Sequence, residues 1–268
     1  WSNNESTSAI IAGEKAFTFP SSSVMIETFS SVFKVANIYK KSYNALFYIH
    51  LITIKSLIFM LTLHHLNNSR SQRILWLLEE LKVEYDIIYY KRDKSTNLAP
   101  DELKKIHPLG KSPIITYKDK TLIESAAITT FIVGKYADES FYPKNEDDDY
   151  FHYLELLHYA EGSAILPFLL LLYSRFLGDG AKPLEPRIYS EIKNHLGYLS
   201  SVLGDNEFFF RNRFSAVDIM LSFVFEGAMM SRSLEPFSNL KEILLRYQKR
   251  DAYKKAIEIG GPYTIGTQ

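Results

Sequence analysis

Three polar clusters in this chain have residue types and spacing that could do chemistry. Asn67-Asn68-Ser69-Arg70 stands directly before an amphipathic helical stripe, the run HPLGKSP from His107 to Pro113 precedes two short strand-like segments, and Glu124-Ser125 opens a further helical stripe. A small hydroxyl or amide at a helix start does one of two things. It caps unpaired backbone amides, or, together with those amides and the helix dipole, it stabilises an anion. The chain has no Cys, so any thiol chemistry at such a site needs a thiol brought by the substrate. His64, His65 and His107 are metal-ligand types, but no carboxylate accompanies them at ligand spacing, and no metal site is expected.

The elements that must position these clusters follow from periodicity. Leu61 to Leu66 alternates apolar residues and stops at a turn cluster, which predicts a strand running into a helix with Asn68 or Ser69 as its N-cap. Ile74, Leu75, Leu77, Leu78 and Leu81 form one apolar helical stripe, with Glu79, Glu80 and Lys82 opposite. Glu84 to Tyr90 reads as a second strand and Asp101 to Ile106 as a short helix. Ile114 to Tyr117 and Thr121 to Ile123 read as a hairpin turning at Asp119-Lys120, and Ile128, Phe131, Ile132 and Tyr136 carry a helix opened by Glu124-Ser125. The order is βαβαββα, an α/β unit with a mixed sheet.

Ser140 to Asp149, with Pro143 and the acidic run EDDD, breaks the composition and reads as a linker. Beyond it only helical stripes occur, at Tyr153 to Phe176, Ile188 to Leu203, Ala216 to Met230 and Phe237 to Arg250. Within them Ser215 and Asp218 form a capping box, flanked by a Phe214–Ile219 staple. The division expected is a leader at 1–59, an α/β domain at 60–139 and an all-α domain at 146–268.

At 268 residues two modest domains with their own cores fit well, and 46% hydrophobic with 23% charged residues is a globular composition. Lys and Arg number 31 against 31 Asp and Glu, without a clustered basic surplus, which argues against a nucleic-acid binder. Residues 1–24 are Ser-rich and aperiodic. Tyr43 to Leu63 is apolar over nearly a bilayer span but interrupted by His50 and Lys55, so membrane association is expected only through 43–60. Met60 is read as the start of the protein proper, with a cytoplasmic address and a peripheral or anchored position at an intracellular membrane as the alternative.

Asn67-Asn68-Ser69-Arg70 before RILWLLEEL, the HPLGKSP loop, Glu124-Ser125, the LHYAEGS stretch from Leu157 to Ser163 and the FSAVD box occur in one order from Leu61 to the C-terminus. In this the chain resembles the cytosolic glutathione transferases, nearest the fungal and bacterial Ser/Asn type. The resemblance implies a thioredoxin-like glutathione-binding domain followed by an all-helical one, glutathione as co-substrate with no cofactor, and a homodimer. It implies conjugation of glutathione to electrophiles, as in detoxification, with hydroperoxide reduction as a side activity. The alternative is a transferase-like module that keeps the fold without the chemistry.

By the same resemblance Ser69, about four residues before the helix Arg73, would stabilise the glutathione thiolate, with Asn68 as the rival. Pro113 would be a cis-proline presenting the backbone of Ser112 to the peptide ligand. Glu124 and Ser125 would hold the γ-glutamyl end, and Arg70 and Lys111 would lie near the glycine carboxylate. Tyr153, Leu157, His158 and Glu161, on one stripe of the first helix of the all-α domain, would wall the second substrate.

Overall fold

The turn cluster at Asn67-Asn68-Ser69 does join a strand to a helix. In a computed structural model, which describes residues 61–139 and 141–265, β1 (Leu61–Leu66) leads into α1 (Ser71–Glu80), and β2 (Asp86–Tyr90) returns parallel to β1. Then follow α2 (Glu102–Ile106), β3 (Ile114–Tyr117), β4 (Lys120–Ile123) and α3 (Ser125–Tyr136). The sheet order is β2-β1-β3-β4, with β3 antiparallel to both β1 and β4, so the sheet is mixed as expected. The hairpin turns one residue earlier than expected, at Lys118-Asp119, with Lys118 at φ +56°. The leader expected at 1–59 and the apolar stretch 43–60 lie outside the described residues.

Strand alternation divides the sheet between two cores. Leu61, Leu63 and Ile115 pack with Ile74, Leu75, Leu78, Ile128 and Ile132 of α1 and α3. Leu66 and Ile114 face the other way, onto Leu103 of α2. His64 and His65 are neighbours in β1 and therefore point to opposite faces.

The chain continues as helix: α4 (Tyr150–Tyr159), a π turn (Ala160–Ala164), α5 (Leu166–Ser174), a 3₁₀ segment (Arg175–Ala181), α6 (Glu185–Leu203), α7 (Ala216–Met230), α8 (Ser238–Lys249) and α9 (Asp251–Gly260). The single helix expected at Tyr153 to Phe176 is thus four pieces, α4, the π turn, α5 and the start of the 3₁₀ segment. Pro167, which cannot donate inside a helix, sits in the first turn of α5, where its missing amide costs nothing. The whole run Tyr150–Ala181 is long and apolar enough to cross a bilayer, but 44% of its most apolar window is buried in the protein.

Helix α7 is apolar nearly all round and is correspondingly buried nearly all round, each Leu, Ile or Val there contributing about 1.5–3 kcal/mol. Its start carries the capping box: the backbone N–H of Ser215 donates to Asp218 Oδ2 at 2.9 Å, and Ser215 Oγ accepts from Val217 N–H at 3.3 Å. Asp218 Oδ1 also accepts from Tyr247 Oη at 2.8 Å and from the N–H of Phe209 at 3.3 Å. Phe214 lies among the rings of Trp76, Phe141, Phe208 and Tyr247.

Helix α9, which the sequence reading did not anticipate, lies along α1. Arg250, extended between α8 and α9, makes a two-point bond to Glu80 at 2.5 and 2.9 Å, and Lys255 reaches Glu79 at 2.6 Å. Carboxylates in the last turn of α1 oppose its dipole, and these two cations offset them. Glu79 and Glu80, expected on a solvated face, are therefore docking points. Tyr253 stacks edge-on against Trp76 at 5.1 Å. One continuous core runs from Leu61 of β1 through Trp76 to Tyr253 and Ala256 of α9.

Two stability predictions follow from these buried carboxylates. Asp218→Ala removes a cap and strands the donors of Ser215, Phe209 and Tyr247, so denaturant titration should show a loss of about 2–4 kcal/mol. Glu226, buried in α7, accepts from Tyr253 Oη at 2.8 Å and Tyr263 Oη at 2.5 Å, yet burial outweighs these donors and pushes its carboxyl up from 4.5 to about 7. The folded state then binds a proton more tightly than the unfolded one across that window, so this contribution is full below pH 4.5 and lost as pH rises towards 7. Midpoints of unfolding should decline over that range, and Glu226→Gln should flatten the decline.

Candidate functional site

The first turn of α1 begins later than the sequence suggests. Arg70 already has helical dihedrals, φ −61° and ψ −14°, and the helix proper starts at Ser71. Ser69 nevertheless performs the capping bond, its Oγ accepting from the Ser71 N–H at 3.1 Å. The same buried hydroxyl donates to the Leu66 carbonyl at 2.8 Å and lies 2.9 Å from Ser71 Oγ and 3.4 Å from Ser112 Oγ.

Asn68 is placed differently. Its φ of +48° is one that Asn tolerates better than most residues. Its Oδ1 accepts the backbone N–H of Thr264 at 2.8 Å and its carbonyl accepts Arg92 Nη2 at 2.8 Å. Arg92 also donates its backbone N–H to Asn67 Oδ1 at 3.0 Å. The loop before α1 is thus held by the strand-end arginine and by the C-terminal segment, neither of which the sequence reading singled out.

The Ser112–Pro113 peptide bond is cis, and Ser112 Oγ donates to the His64 carbonyl at 3.4 Å, bringing this loop against Ser69. Lys111 beside it is exposed. At the far end of the β3–β4 hairpin Glu124 is exposed, with φ +68° and ψ 121°. A non-glycine residue in that region stores about 1–3 kcal/mol of strain, which clusters at ligand-handling positions. Ser125 follows as the first residue of α3 and is buried, its Oγ accepting from Arg73 Nη2 at 3.1 Å.

Arg73 is the residue that ties these positions together. Its guanidinium is 2% exposed and bonds Ser125 Oγ, the Met220 carbonyl of α7 at 2.7 Å and the carboxylate of Glu161, while its plane lies 5.1 Å from the Phe223 ring. Glu161 also forms an ion pair with Arg70, its Oε2 lying 2.9 Å from Nε. Burial opposes ionisation of Glu161, but Arg73 and Arg70 outweigh it and hold its carboxyl below the usual range. Burial likewise lowers Arg70, with Glu161 acting against that shift. Glu161, expected on the second-substrate wall, is therefore engaged as the counter-ion of two arginines. Arg70, expected at a ligand carboxylate, already has a carboxylate partner inside the protein.

The rest of the expected wall is distributed by burial. Tyr153 and Leu157 are fully buried, because the stripe they occupy faces α7 and the core rather than a cleft, and His158 is exposed. His64 is occupied by Tyr90 Oη at 3.0 Å, and His65 by Ser71 Oγ at 3.0 Å and the Gly260 carbonyl at 3.1 Å. Burial lowers both imidazoles.

Comparison with known proteins agrees with this geometry. A family profile described as the N-terminal domain of glutathione S-transferase matches residues 60–134. Glutathione S-transferase 3 of Schizosaccharomyces pombe is 36% identical over 215 residues, covering 74% of this chain and 87% of that protein. Glutathione S-transferase 1 of Saccharomyces cerevisiae is 32% identical over 199 residues, 66% and 84% of the two chains. The crystal structure of a glutathione S-transferase from Actinobacillus pleuropneumoniae superposes with a TM-score of 0.70 at 30% identity, over 78% of this chain and 97% of that one. A glutathione transferase of Phanerochaete chrysosporium in complex with oxidized glutathione, 23% identical, shares the fold with a TM-score of 0.66 over 76% and 98%. A thioredoxin-like sheet, a helical region sharing its core and relatives matched over most of their length lead to one conclusion: this chain belongs to the glutathione S-transferase family.

Proposed function

We propose that this protein binds glutathione across the sheet domain, residues 60–139, ionises its thiol at Ser69 and adds the thiolate to electrophiles presented beside the helical domain, residues 146–268. The observation that carries this reading is the placement of Ser69. Its hydroxyl sits at the N-terminal turn of α1 and 3.4 Å from Ser112 of the cis-Pro113 loop. A free thiol with a pKa near about 8.5 is only a few per cent ionised at pH 7. Lowering it by about two units requires roughly 2.7 kcal/mol of preference for the anion. One hydroxyl hydrogen bond to the charged sulfur plus the dipole of α1 supply an effect of that size.

Asn68 is the weaker candidate because its side chain is tied through Oδ1 to Thr264 of the C-terminal segment, whereas the Ser69 hydroxyl reaches Ser112 of the cis-Pro113 loop. At the ligand's ends Glu124 and Ser125 at the start of α3 take the γ-glutamyl group, the Ser112 backbone the peptide, and Lys111 the glycine carboxylate. Arg70 enters only as a background charge, since Glu161 meets it. Reduction of a hydroperoxide by two glutathiones, giving alcohol, water and glutathione disulfide, would use the same thiolate. Phe151, Leu166, Leu170 and Phe176, exposed along α4, α5 and the segment after it, support a homodimer that covers apolar surface. A cytoplasmic address completes the reading.

Ser69→Ala should raise the pH midpoint of kcat/KM for conjugation and lower turnover by about 10²–10³-fold, the cost of removing one donor to a developing anion, while glutathione affinity changes little. Asn68→Ala should leave the midpoint nearly in place. Retention on immobilised glutathione without any conjugation in the wild-type protein would instead mark a binding module, and a shifted midpoint in Asn68→Ala alone would move the role to that amide.

A further inference from the structure

The stripe expected to wall the second substrate is closed off, since Tyr153 and Leu157 are buried and Glu161 is engaged by two arginines. The open surface near Ser69 belongs to other residues. Helix α7 is buried along its whole length except at Phe223, Gly227, Met229 and Met230. Of these, Phe223, Gly227 and Met230, four and three residues apart, fall on one line of the helix. Helix α5 flanks that line: the Phe168 ring lies 3.9 Å from where a Cβ on Gly227 would stand. In the last turn of α5 Tyr173 is 59% exposed, its hydroxyl within electrostatic reach of both Arg70 and Arg92.

Arg70, one residue after Ser69, leans to this side. Its guanidinium carbon lies 5.5 Å from the centre of the Phe223 ring and its Nε 2.9 Å from Glu161, both contacts to the helical region. The side chain is 26% exposed, and among the described residues neither of its Nη groups is hydrogen-bonded to an acceptor. Glu161 is shared with Arg73. Glu124, the next carboxylate to act on Arg70, is the group assigned to the amino end of glutathione. With glutathione in place, a fixed positive charge is therefore left facing the second substrate. Arg92, by contrast, spends its donors on the carbonyls of Asn67, Asn68 and Asn97.

We propose that the second substrate lies between Tyr173 of α5 and the Phe223 line of α7, with the Nη edge of Arg70 anchoring an acidic group, so that the preferred electrophiles are flat unsaturated molecules carrying a carboxylate. The proposal rests on the reading of the protein as a glutathione-conjugating enzyme. A planar guanidinium takes a carboxylate through two parallel hydrogen bonds, and one already held by Glu161 and Phe223 loses little freedom in doing so. Phe223 and Tyr173 supply aromatic surface for the unsaturated frame. The anchor is made in the ground state and the transition state alike, so it lowers KM more than it raises kcat.

The test compares 4-chloro-3,5-dinitrobenzoate with its methyl ester, which share one reacting centre. The glutathione thiolate bonds the chlorine-bearing carbon, the C–Cl electron pair leaves as chloride, and the thiol proton passes to solvent. Divided by the uncatalysed ratio, the wild-type kcat/KM ratio of acid to ester should be about tenfold to hundredfold, should reside in KM, and should shrink as salt rises. Arg70→Met should bring that ratio to about one and Arg70→Lys should lower it only in part, with glutathione KM within about twofold. Phe223→Leu, which frees the guanidinium, should lower the ratio about threefold, and Tyr173→Ala should raise both electrophile KM values about threefold to tenfold. A wild-type ratio equal to the uncatalysed one, or one that Arg70→Met leaves in place, would overturn the proposal, as would a raised glutathione KM in that variant with the ratio unmoved. If thermal unfolding shows that Arg70→Met does not fold, the wild-type ratio and Arg70→Lys decide. Turnover of neither compound would overturn the conjugation reading and this site with it, whereas turnover of both without preference overturns the site alone.

Discussion

A guanidinium shut inside the protein at Arg73 is the constraint on which the rest of the arrangement depends. An unpaired buried charge costs several kcal/mol, so every element around Arg73 must present an acceptor to it. The π turn brings Glu161, α7 brings the Met220 carbonyl, and α3 brings Ser125. These contacts fix α1 against the start of α3 and against the helical region at once, so the polar ends of two helices hold one relative position. The backbone at Ala160–Ala164 is wound as a π turn where Glu161 leaves the helix towards the two arginines, a local irregularity at the point of greatest electrostatic demand.

Much of the sheet domain was legible because short-range rules govern it. Alternation named β1, β3 and β4, the 3.6 period named α1 and α3, and Ser215 with Asp218 announced the start of α7. The misplaced boundaries have the same origin. Lys118 turns the hairpin through a positive φ that its residue type does not advertise, and Ser69 caps a helix whose regular hydrogen bonds begin two residues later.

What escaped the sequence depends on long-range partners. The stripe containing Tyr153 and Leu157 has the spacing of any buried face, and periodicity cannot say whether core or ligand lies opposite. Glu79 and Glu80 looked like solvated charges and Glu161 like part of a substrate wall because their cations, Arg250 and Lys255 for the first two and Arg70 and Arg73 for the third, are far away in sequence. Helix α9 did leave a trace, Tyr253, Ala256 and Gly260 at spacings of three and four, but ten residues with mixed charge after an existing helix carry little weight by themselves. His65 likewise reads as a strand histidine until Gly260 and Ser71 are seen on either side of it.

The bond between His65 and Gly260 joins residues 195 positions apart, and Asn68 meets Thr264 across 196. The sheet domain therefore does not own all of its structure: α1 lacks its outer cover, and the loop at Asn68 lacks its clasp, until the last helix has been made. On a ribosome the first domain emerges long before α9 does, with the face of Trp76 and the carboxylates of Glu79 and Glu80 awaiting partners. Closure over so long a chain segment is entropically slow, and a nascent intermediate with that face open is the species in which a chaperone or an aggregating neighbour would find its opportunity.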